Sequence, residues 1–206
     1  MYALVVDNSV TRVFPGPKGF EHNGNQYAPD IFYKWSKAEK EAIGLYEVTT
    51  DSTNYKDEKW YINTNESYAF SNGKVTRSWG TATAKAHADT LWTQQDSDDG
   101  NLPDDKEVGD VKVEGLKTIL IRTLKAQAAG ELKNTDWYVI RKADAGTAVP
   151  SSITTHRAAV RTKCAEMETA ITNAADTPAL ETLYTYTEQE DGSVTRPLGE
   201  LPTLEG

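Results

Sequence analysis

The sequence has few of the residues that cross-link small domains or bind transition metals. Among 206 residues there are one cysteine, Cys164, and three histidines, His22, His87 and His156. A single cysteine excludes an intrachain disulfide and a cysteine-based zinc site. The histidines lie in different predicted elements, and none has a second histidine or cysteine at metal-ligand spacing. The sequence therefore predicts neither a metal nor another cofactor.

Long hydrophobic runs are also missing. The apolar stretch at the start, within residues 1–7, has no basic segment before it and is too short for a signal peptide or a membrane span. We therefore expect a protein that is made in the cytoplasm and has no membrane as a partner.

Cations are outnumbered by acids. Lys and Arg total 22 and Asp and Glu total 31, which gives a net charge of -9. Nucleic-acid binding needs clustered cations, so it is not predicted. The acids concentrate in two segments: residues 96–110 have seven acids against one lysine, and residues 187–206 have five against one arginine. Such compositions are typical of solvated linkers and tails.

Short strands and turns dominate the first ninety residues. Residues 4–7 and 10–14 are predicted to form a hairpin with Asn8-Ser9 as its turn. The dipeptides Asn23-Gly24 and Asn72-Gly73 favour turns with positive φ between two further strand pairs. The Ser36–Glu39 sequence is a helix capping box, and Gly44 is a typical helix end. We therefore predict three hairpins and one short helix.

Apolar residues recur at helical spacing in the second half of the chain. One stripe, beginning at Leu116, predicts a helix over about residues 111–133, and a second predicts a helix over about 153–174. About twenty residues connect the two helices, more than is usual for a helical bundle, so we expect them to form a defined excursion. A marginal helix is also predicted over residues 83–92.

These patterns together predict an α+β protein. A small aromatic-rich β domain with one short helix covers residues 1–92, and an acidic linker covers 93–110. An antiparallel helical hairpin follows at residues 111–184, and an extended acidic tail forms residues 185–206.

Catalytic motifs are missing. The sequence has no phosphate-binding glycine loop, no zinc-protease motif and no nucleophile elbow. We therefore predict a protein that is not an enzyme, and a hydrolase using carboxylates is kept as an alternative. His156 is predicted on a helix surface, and Cys164 is predicted as a small buried thiol on an apolar stripe.

The acidic segment partly matches a calcium-binding loop. If Asp96 is position one, then Asp98, Asp104 and Glu107 fall at further ligand positions. Asn101, however, stands where the loop requires glycine for its sharp turn. A solvated linker is therefore the preferred interpretation.

Aromatic residues are concentrated in the first domain. Buried members would form its core, whereas exposed members would suit a protein interface or a surface on which a saccharide stacks. An alternative function is therefore a carbohydrate-binding module. Its candidate residues are Trp35, Trp60, Tyr61 and Trp79.

The segment Leu132-Lys-Asn-Thr-Asp-Trp-Tyr-Val-Ile-Arg141, followed by Pro150 and by Arg157 and Arg161, forms a recognisable pattern. It resembles small proteins encoded near the tail-fibre genes of tailed bacteriophages, including marine phages, which are called tail-fibre assembly or tail-assembly chaperone proteins. The opening Met-Tyr-Ala-Leu and the Ser67–Gly73 sequence are also similar. The stronger part of the resemblance covers residues 111–171.

The resemblance implies a non-enzymatic protein that binds phage tail or tail-fibre polypeptides. It would act either as a structural adaptor in the virion tail or baseplate, or as an assembly chaperone in the host cell cytoplasm. A homo-oligomer would suit fibre symmetry. The alternative role for Trp137 is to close the helical hairpin. The candidate partner-binding residues are Asp136, Trp137, Tyr138, Arg141, Arg157 and Arg161.

Overall fold

The computed structural model describes residues 1–204. Within this range the chain is a mixed α+β protein with seven helices, so the predicted α+β class is confirmed. The chain divides into two compact units, one of residues 1–83 and the other from Ala84 onward. We call them the β unit and the helical unit.

The β unit contains a curled five-stranded sheet in the strand order β2-β1-β5-β8-β7. Neighbouring strands are antiparallel except β5 and β8, which are parallel. The curl brings the two edge strands, β2 and β7, into contact. The elements are β1 (Tyr2–Val6), β2 (Ser9–Phe14), β3 (Phe20–His22), β4 (Asn25–Tyr27), α1 (Ile31–Lys34), α2 (Lys37–Ala42), β5 (Leu45–Thr50), β6 (Tyr61–Ile62), β7 (Ser67–Ser71), β8 (Lys74–Ser78) and β9 (Thr83–Ala84).

Turn chemistry explains the pairing of these strands. Asp7 and Asn8 both have positive φ, as do the dipeptides Asn23-Gly24 and Asn72-Gly73, which matches the turns that best join twisted antiparallel strands. All three predicted hairpins are confirmed, but the first turn is at Asp7-Asn8, one residue before the predicted Asn8-Ser9. The predicted capping box is also confirmed, because the Ser36 side chain accepts from the Glu39 amide while the Glu39 carboxylate accepts from Ser36.

The sheet has an apolar core on each face. Successive side chains of a strand point to opposite faces, so β1 sends Leu4 to one side and Ala3 and Val5 to the other. The Leu4 side is an aromatic cluster, in which Phe14 packs against Phe20 with ring centroids 4.8 Å apart. Most of the aromatic residues near the N-terminus therefore serve the core.

The helical unit consists mostly of α-helices, and short strand pairs flank them. Among residues 1–204, none of the helices combines the length and apolar character that a bilayer crossing requires. The elements of the helical unit are β10 (Thr90–Leu91), α3 (Gln94–Asp98), β11 (Val111–Val113), α4 (Leu116–Lys133), α5 (Asp136–Ala145), α6 (Ser151–Asn173), α7 (Thr177–Tyr184), β12 (Thr187–Glu188) and β13 (Val194–Thr195). The last two residues of the predicted acidic tail, 205 and 206, lie outside the described residues.

One helix prediction at the start of this unit is wrong, because residues 83–92 are not helical. The helix predicted over about residues 111–133 is α4. It begins later than predicted, at Leu116, because residues 111–113 form a strand that pairs with β10. The amides of Leu116 and Lys117 also donate to the carbonyls of Ala86 and His87. These contacts tie the segment after residue 83 to the helical unit, whereas the sequence predicts the first domain to end at residue 92.

Helices α4 and α6 pack against each other along their apolar stripes. Leu120 and Leu124 from α4 and Val160 from α6 are buried. At one end the Lys117 Nζ atom donates to the Thr172 carbonyl at 2.8 Å, and at the other Arg157 reaches the end of α4. Packing of these two apolar faces supplies most of the stability of both helices.

The acidic segment contains a capped helix. Asp96 completes a capping box with Thr93 at the start of α3, and its carboxylate also pairs with Lys112. The hydrogen bond from Lys112, followed by those from Thr93, lowers the pKa of Asp96 from 3.8 to about 2. A lowered pKa stabilises the folded state above pH 4, and this contribution is lost as the pH falls from about 4 through about 2.

We therefore expect an NMR titration to find the Asp96 carboxylate ionised down to about pH 2. Lys112→Gln should raise this pKa, because it replaces the charged ammonium donor with a neutral amide on a shorter side chain. Lys106→Gln is the control, since Lys106 pairs with Asp105. An unchanged Asp96 pKa in the Lys112 variant would contradict the assignment.

Candidate functional site

A buried arginine organises the link between α4 and α5. The Nη1 atom of Arg157, on α6, donates to the Leu132 carbonyl at 2.8 Å and to the Thr135 hydroxyl at 2.7 Å. It also lies 2.9 Å from a carboxylate oxygen of Asp136. The Arg157 residue is only 9% exposed, and Thr135 is fully buried. Arg157 therefore fixes the point at which the chain leaves α4 and begins α5.

The Thr-Asp-Trp sequence has a structural explanation in this contact. Thr135 donates its hydroxyl proton to Leu132 while accepting from Arg157. Asp136 is an acidic residue in the first turn of α5, where it also suits the helix dipole. Gly146 ends α5 with a φ of 68°, a left-handed conformation that favours glycine.

Two aromatic rings and a guanidinium group form a stack on α5. The Trp137 and Tyr138 ring centroids are 3.9 Å apart. The Arg141 guanidinium carbon lies 4.6 Å from the Trp137 ring centroid and 5.5 Å from that of Tyr138. Because Arg141 is four residues after Trp137, both side chains lie on the same side of the helix.

Helix α5 buries none of its ten residues fully. Trp137 is 49% exposed and Ile140 is 66% exposed, and Val139 beside them is also exposed. An isolated helix of ten residues is marginal in water, so anchoring by neighbouring residues matters. We call the exposed apolar residues Trp137, Val139 and Ile140 the α5 surface.

The structure brings together most of the residues that the resemblance indicates. Asp136 and Arg157 contact each other, and Trp137, Tyr138 and Arg141 form the stack. Arg157 is engaged inside the protein, so it positions α5 and does not present a free guanidinium to a partner. Arg161 is exposed one turn further along α6.

Sequence reasoning missed two residues of the α5 surface, Val139 and Ile140. It predicted a defined excursion in the roughly twenty residues between the two predicted helices, but no helix there. The available signal was the run from Asp136 to the helix-ending Gly146, which has an acidic start, apolar residues and a glycine stop.

The aromatic residues proposed for saccharide stacking are not free. Trp60 and Tyr61 are 3% and 5% exposed, respectively. Trp79 lies between the Tyr55 ring and the Arg77 guanidinium, at 4.7 and 4.4 Å. Trp35 packs onto the aromatic core. Burial of Trp60 and Tyr61 removes them as a stacking platform.

The histidine and cysteine predictions have different outcomes. His156 is buried, so its predicted place on the helix surface is wrong. It lies three residues after Ile153 and four before Val160, which puts it beside the buried stripe of α6. Cys164 is partly buried. Among residues 1–204, no group of three His, Cys, Asp or Glu side chains could hold a metal ion.

Comparisons of the chain with models of protein families, with curated proteins and with solved structures find no match. The phage resemblance therefore rests on the motifs of this sequence alone.

Proposed function

We propose that the protein is a non-enzymatic, tail-associated phage protein that binds tail or tail-fibre polypeptides. It acts as a virion adaptor or as a fibre-assembly chaperone. The observation that carries the proposal is the exposure of Trp137 and Ile140 of the α5 surface, which are three residues apart and therefore lie on the same side of the helix. Exposed aromatic and aliphatic residues on an ordered element are typical of protein interfaces.

The anchoring of α5 supports a binding role. In this proposal α4 and α6 are the predicted antiparallel hairpin and serve as a rigid scaffold. Arg157 attaches the start of α5 to that scaffold through Thr135 and Asp136. Binding to a helix that is already ordered loses less conformational entropy than binding to a disordered segment.

Co-purification tests the proposal. The chain, carrying an affinity tag, is co-expressed with the tail and fibre proteins encoded by neighbouring genes, and the captured proteins are identified by mass spectrometry. Capture of one tail or fibre protein in a fixed ratio is expected. Failure to capture any of them would contradict the proposal.

Quantitative mass spectrometry of purified virions distinguishes the virion adaptor from the assembly chaperone. A fixed copy number relative to the major tail proteins is expected of an adaptor. Absence from virions together with abundance in infected-cell lysate is expected of a chaperone, and fibre folding with and without the protein then becomes the assay.

Removing the α5 surface should weaken capture. We expect Trp137→Ala with Ile140→Ala to reduce binding about 100-fold, because central aromatic and aliphatic anchors contribute most of the energy of an interface. Tyr33→Ala is the matched control, since Tyr33 is a highly exposed aromatic residue in the β unit. The measurement is the affinity for the captured protein by calorimetry. Equal loss in both variants would place the contact elsewhere.

A further inference from the structure

A cavity of about 380 Å³ lies at the end of β2, in the β unit. One continuous segment, residues 12–18, lines it, and this segment consists of the last residues of β2 and the Pro-Gly-Pro-Lys sequence that follows. Cavities that hold small ligands usually measure about 300 to 1,000 Å³. The volume therefore admits a small organic molecule. We call this cavity the β2 pocket.

Proline chemistry explains why the chain leaves the sheet at this point. Proline has no amide proton to donate to a neighbouring strand, so the pairing of β2 with β1 ends at Phe14. The rings of Pro15 and Pro17 also fix the φ angles of both residues. A wall with fixed backbone angles loses little conformational entropy when a ligand binds. The pocket is therefore largely formed before binding.

The charges that line the β2 pocket have one sign. Arg12 and Lys18 belong to its lining, and no Asp or Glu does. Within residues 1–204, neither of these two cations forms an ion pair. Lys34 and Arg77 of the same unit, by contrast, pair with acids. Residues 1–83 have nine Lys or Arg against ten Asp or Glu, so the pocket is a positive site in a nearly neutral unit.

The guanidinium group of Arg12 is held by an aromatic ring. Its Cζ atom lies 4.9 Å from the centroid of the Phe14 ring, and Phe14 is buried in the aromatic cluster. The two residues are two positions apart on β2, so they lie on the same face of the strand. A guanidinium that stacks through its flat face keeps the N–H donors at its edge available. These donors suit the oxygens of an anion.

Lys18 supplies the second positive charge. It is exposed, and its flexible four-carbon stem lets the ammonium group approach an oxygen that Arg12 already holds. Two cations on one cavity match an anion with two negative charges. The rings of Pro15 and Pro17 offer an apolar wall to the rest of the ligand.

We infer that the β2 pocket binds a small phosphate monoester, whose phosphate contacts Arg12 and Lys18 and whose organic group lies against the two prolines. A monoester has a charge of about -1.5 to -2 at neutral pH and three terminal oxygens on one phosphorus atom, so one group can accept from both cations. A single carboxylate has half that charge. The inference goes beyond the proposed function and does not depend on it.

A small molecule is favoured over a nucleic acid. A nucleic-acid strand has regularly spaced phosphodiesters, and its binding requires a row or patch of many cations. The β2 pocket has two, and the β unit around them has more acids than cations. Each phosphodiester also has only one negative charge.

An NMR titration of the full-length chain with phenyl phosphate tests the inference. At about pH 7.5 this monoester is mostly a dianion. We expect saturable shifts of the amide signals of residues 12–18, with half-saturation at about 5 mM or below, as is reasonable for a ligand of about eleven non-hydrogen atoms. No saturable shift in residues 12–18 would overturn the inference.

Two further ligands test the charge and the organic group separately. Phenyl sulfate has the same ring and a tetrahedral oxyanion but one negative charge, so it should bind about tenfold more weakly, and the difference should shrink as salt is added. Inorganic phosphate lacks the ring and should also bind more weakly than phenyl phosphate. Equal affinity for phenyl sulfate would overturn the dianion, and equal affinity for inorganic phosphate would overturn the contact with the organic group.

Substitutions locate the contact. Arg12→Gln and Lys18→Gln should each weaken phenyl phosphate binding about tenfold, because each removes a charged donor. Arg12→Lys keeps the charge but loses the planar fork, so its affinity should be intermediate. Lys74→Gln is the matched control for Lys18→Gln, since Lys74 is an exposed lysine of the β unit outside the pocket lining. Unchanged affinity in Arg12→Gln and Lys18→Gln, or an equal loss in the control, would overturn the inference.

A thymidine oligonucleotide without a terminal phosphate tests the nucleic-acid alternative. It should shift the signals of residues 12–18 less than phenyl phosphate does at the same phosphate concentration. Tighter binding of the oligonucleotide would overturn the inference. None of these measurements involves a tail or fibre protein, so their failure would leave the proposed function standing, and failed co-purification would leave the β2 pocket unaffected.

Discussion

Replacing Arg157 with leucine is expected to lower the free energy of unfolding of the helical unit by about 3 kcal/mol. The guanidinium group bonds to the Leu132 carbonyl, the Thr135 hydroxyl and the Asp136 carboxylate. Leucine fills much of the same space, but it has no polar atom and cannot donate a hydrogen bond to any of these three groups. Thr135 is fully buried, so water cannot easily replace the lost donor.

The loss should be greatest at α5. Because Arg157 is the residue that holds Thr135 and Asp136, hydrogen exchange in residues 136–145 should become faster, while residues 1–83 of the β unit should exchange at an unchanged rate. Arg157→Lys should recover only part of the stability, since an ammonium group is a point charge and cannot reproduce the planar guanidinium.

Arg161→Leu is the matched control for this prediction. Arg161 is on the same helix one turn later, but it is exposed and forms no ion pair among the described residues. Its replacement should change the unfolding free energy by less than about 0.5 kcal/mol. The free energy of unfolding is measured by denaturant unfolding followed by circular dichroism. If the two leucine variants lower it by similar amounts, the Arg157 contacts contribute little to stability.

Local signals in the sequence were sufficient for much of the β unit. The Asn-Gly turns and the Ser36–Glu39 capping box act over two to four residues, so they can be recognised without tertiary information. The pairing of β5 with β8 is different. It is a parallel contact between distant segments, and no local pattern specifies it.

The start of the helical unit shows where local patterns fail. Residues 83–92 include three alanines, Ala84, Ala86 and Ala88, and the high helix propensity of alanine favours a helix there. Backbone hydrogen bonds to β11 and to the first turn of α4 instead keep the segment extended. These partners are twenty or more residues away in the chain, so tertiary contacts override the propensity.

The sequence indicated which residues belong to the candidate site better than it indicated what each of them does there. The Thr-Asp-Trp pattern indicated residues that the structure brings together with Arg157, but it could not show that Arg157 is buried or that α5 continues to Ala145. Arginine is usually exposed, so an apolar stripe on α6 gave no reason to expect one inside it. Only the pairing of α4 with α6 brings Arg157 to Thr135.

The second large effect is expected from Gly115→Ala, which should destabilise the helical unit by about 3 kcal/mol. Gly115 is the buried N-cap of α4. A Cβ atom there would lie 2.3 Å from the backbone carbonyl carbon and oxygen of Ala88 and 2.8 Å from the Asp89 amide nitrogen. Backbone atoms cannot move aside as the end of a long side chain can, so the start of α4 must shift.

That shift would also break the hydrogen bonds that join the start of α4 to Asp89. The Gly115 amide donates to Asp89 at 2.7 Å, and the Thr118 hydroxyl donates to the other Asp89 oxygen at 2.8 Å. These two donors lower the pKa of Asp89. We therefore expect the pKa of Asp89 in Gly115→Ala to rise toward 3.8, a change that NMR titration can detect even where the protein stays folded.

Gly130→Ala, in the same helix, should have the opposite sign. Nothing lies within 4 Å of a Cβ atom at Gly130, and alanine is favoured over glycine inside a helix by about 1 kcal/mol. The same substitution at two glycines of α4 should thus stabilise the unit at one position and destabilise it at the other. A stabilising or neutral Gly115→Ala in thermal unfolding would mean that α4 does not begin against residues 86–89, and the boundary between the two units would then have to be moved toward the predicted one near residue 92.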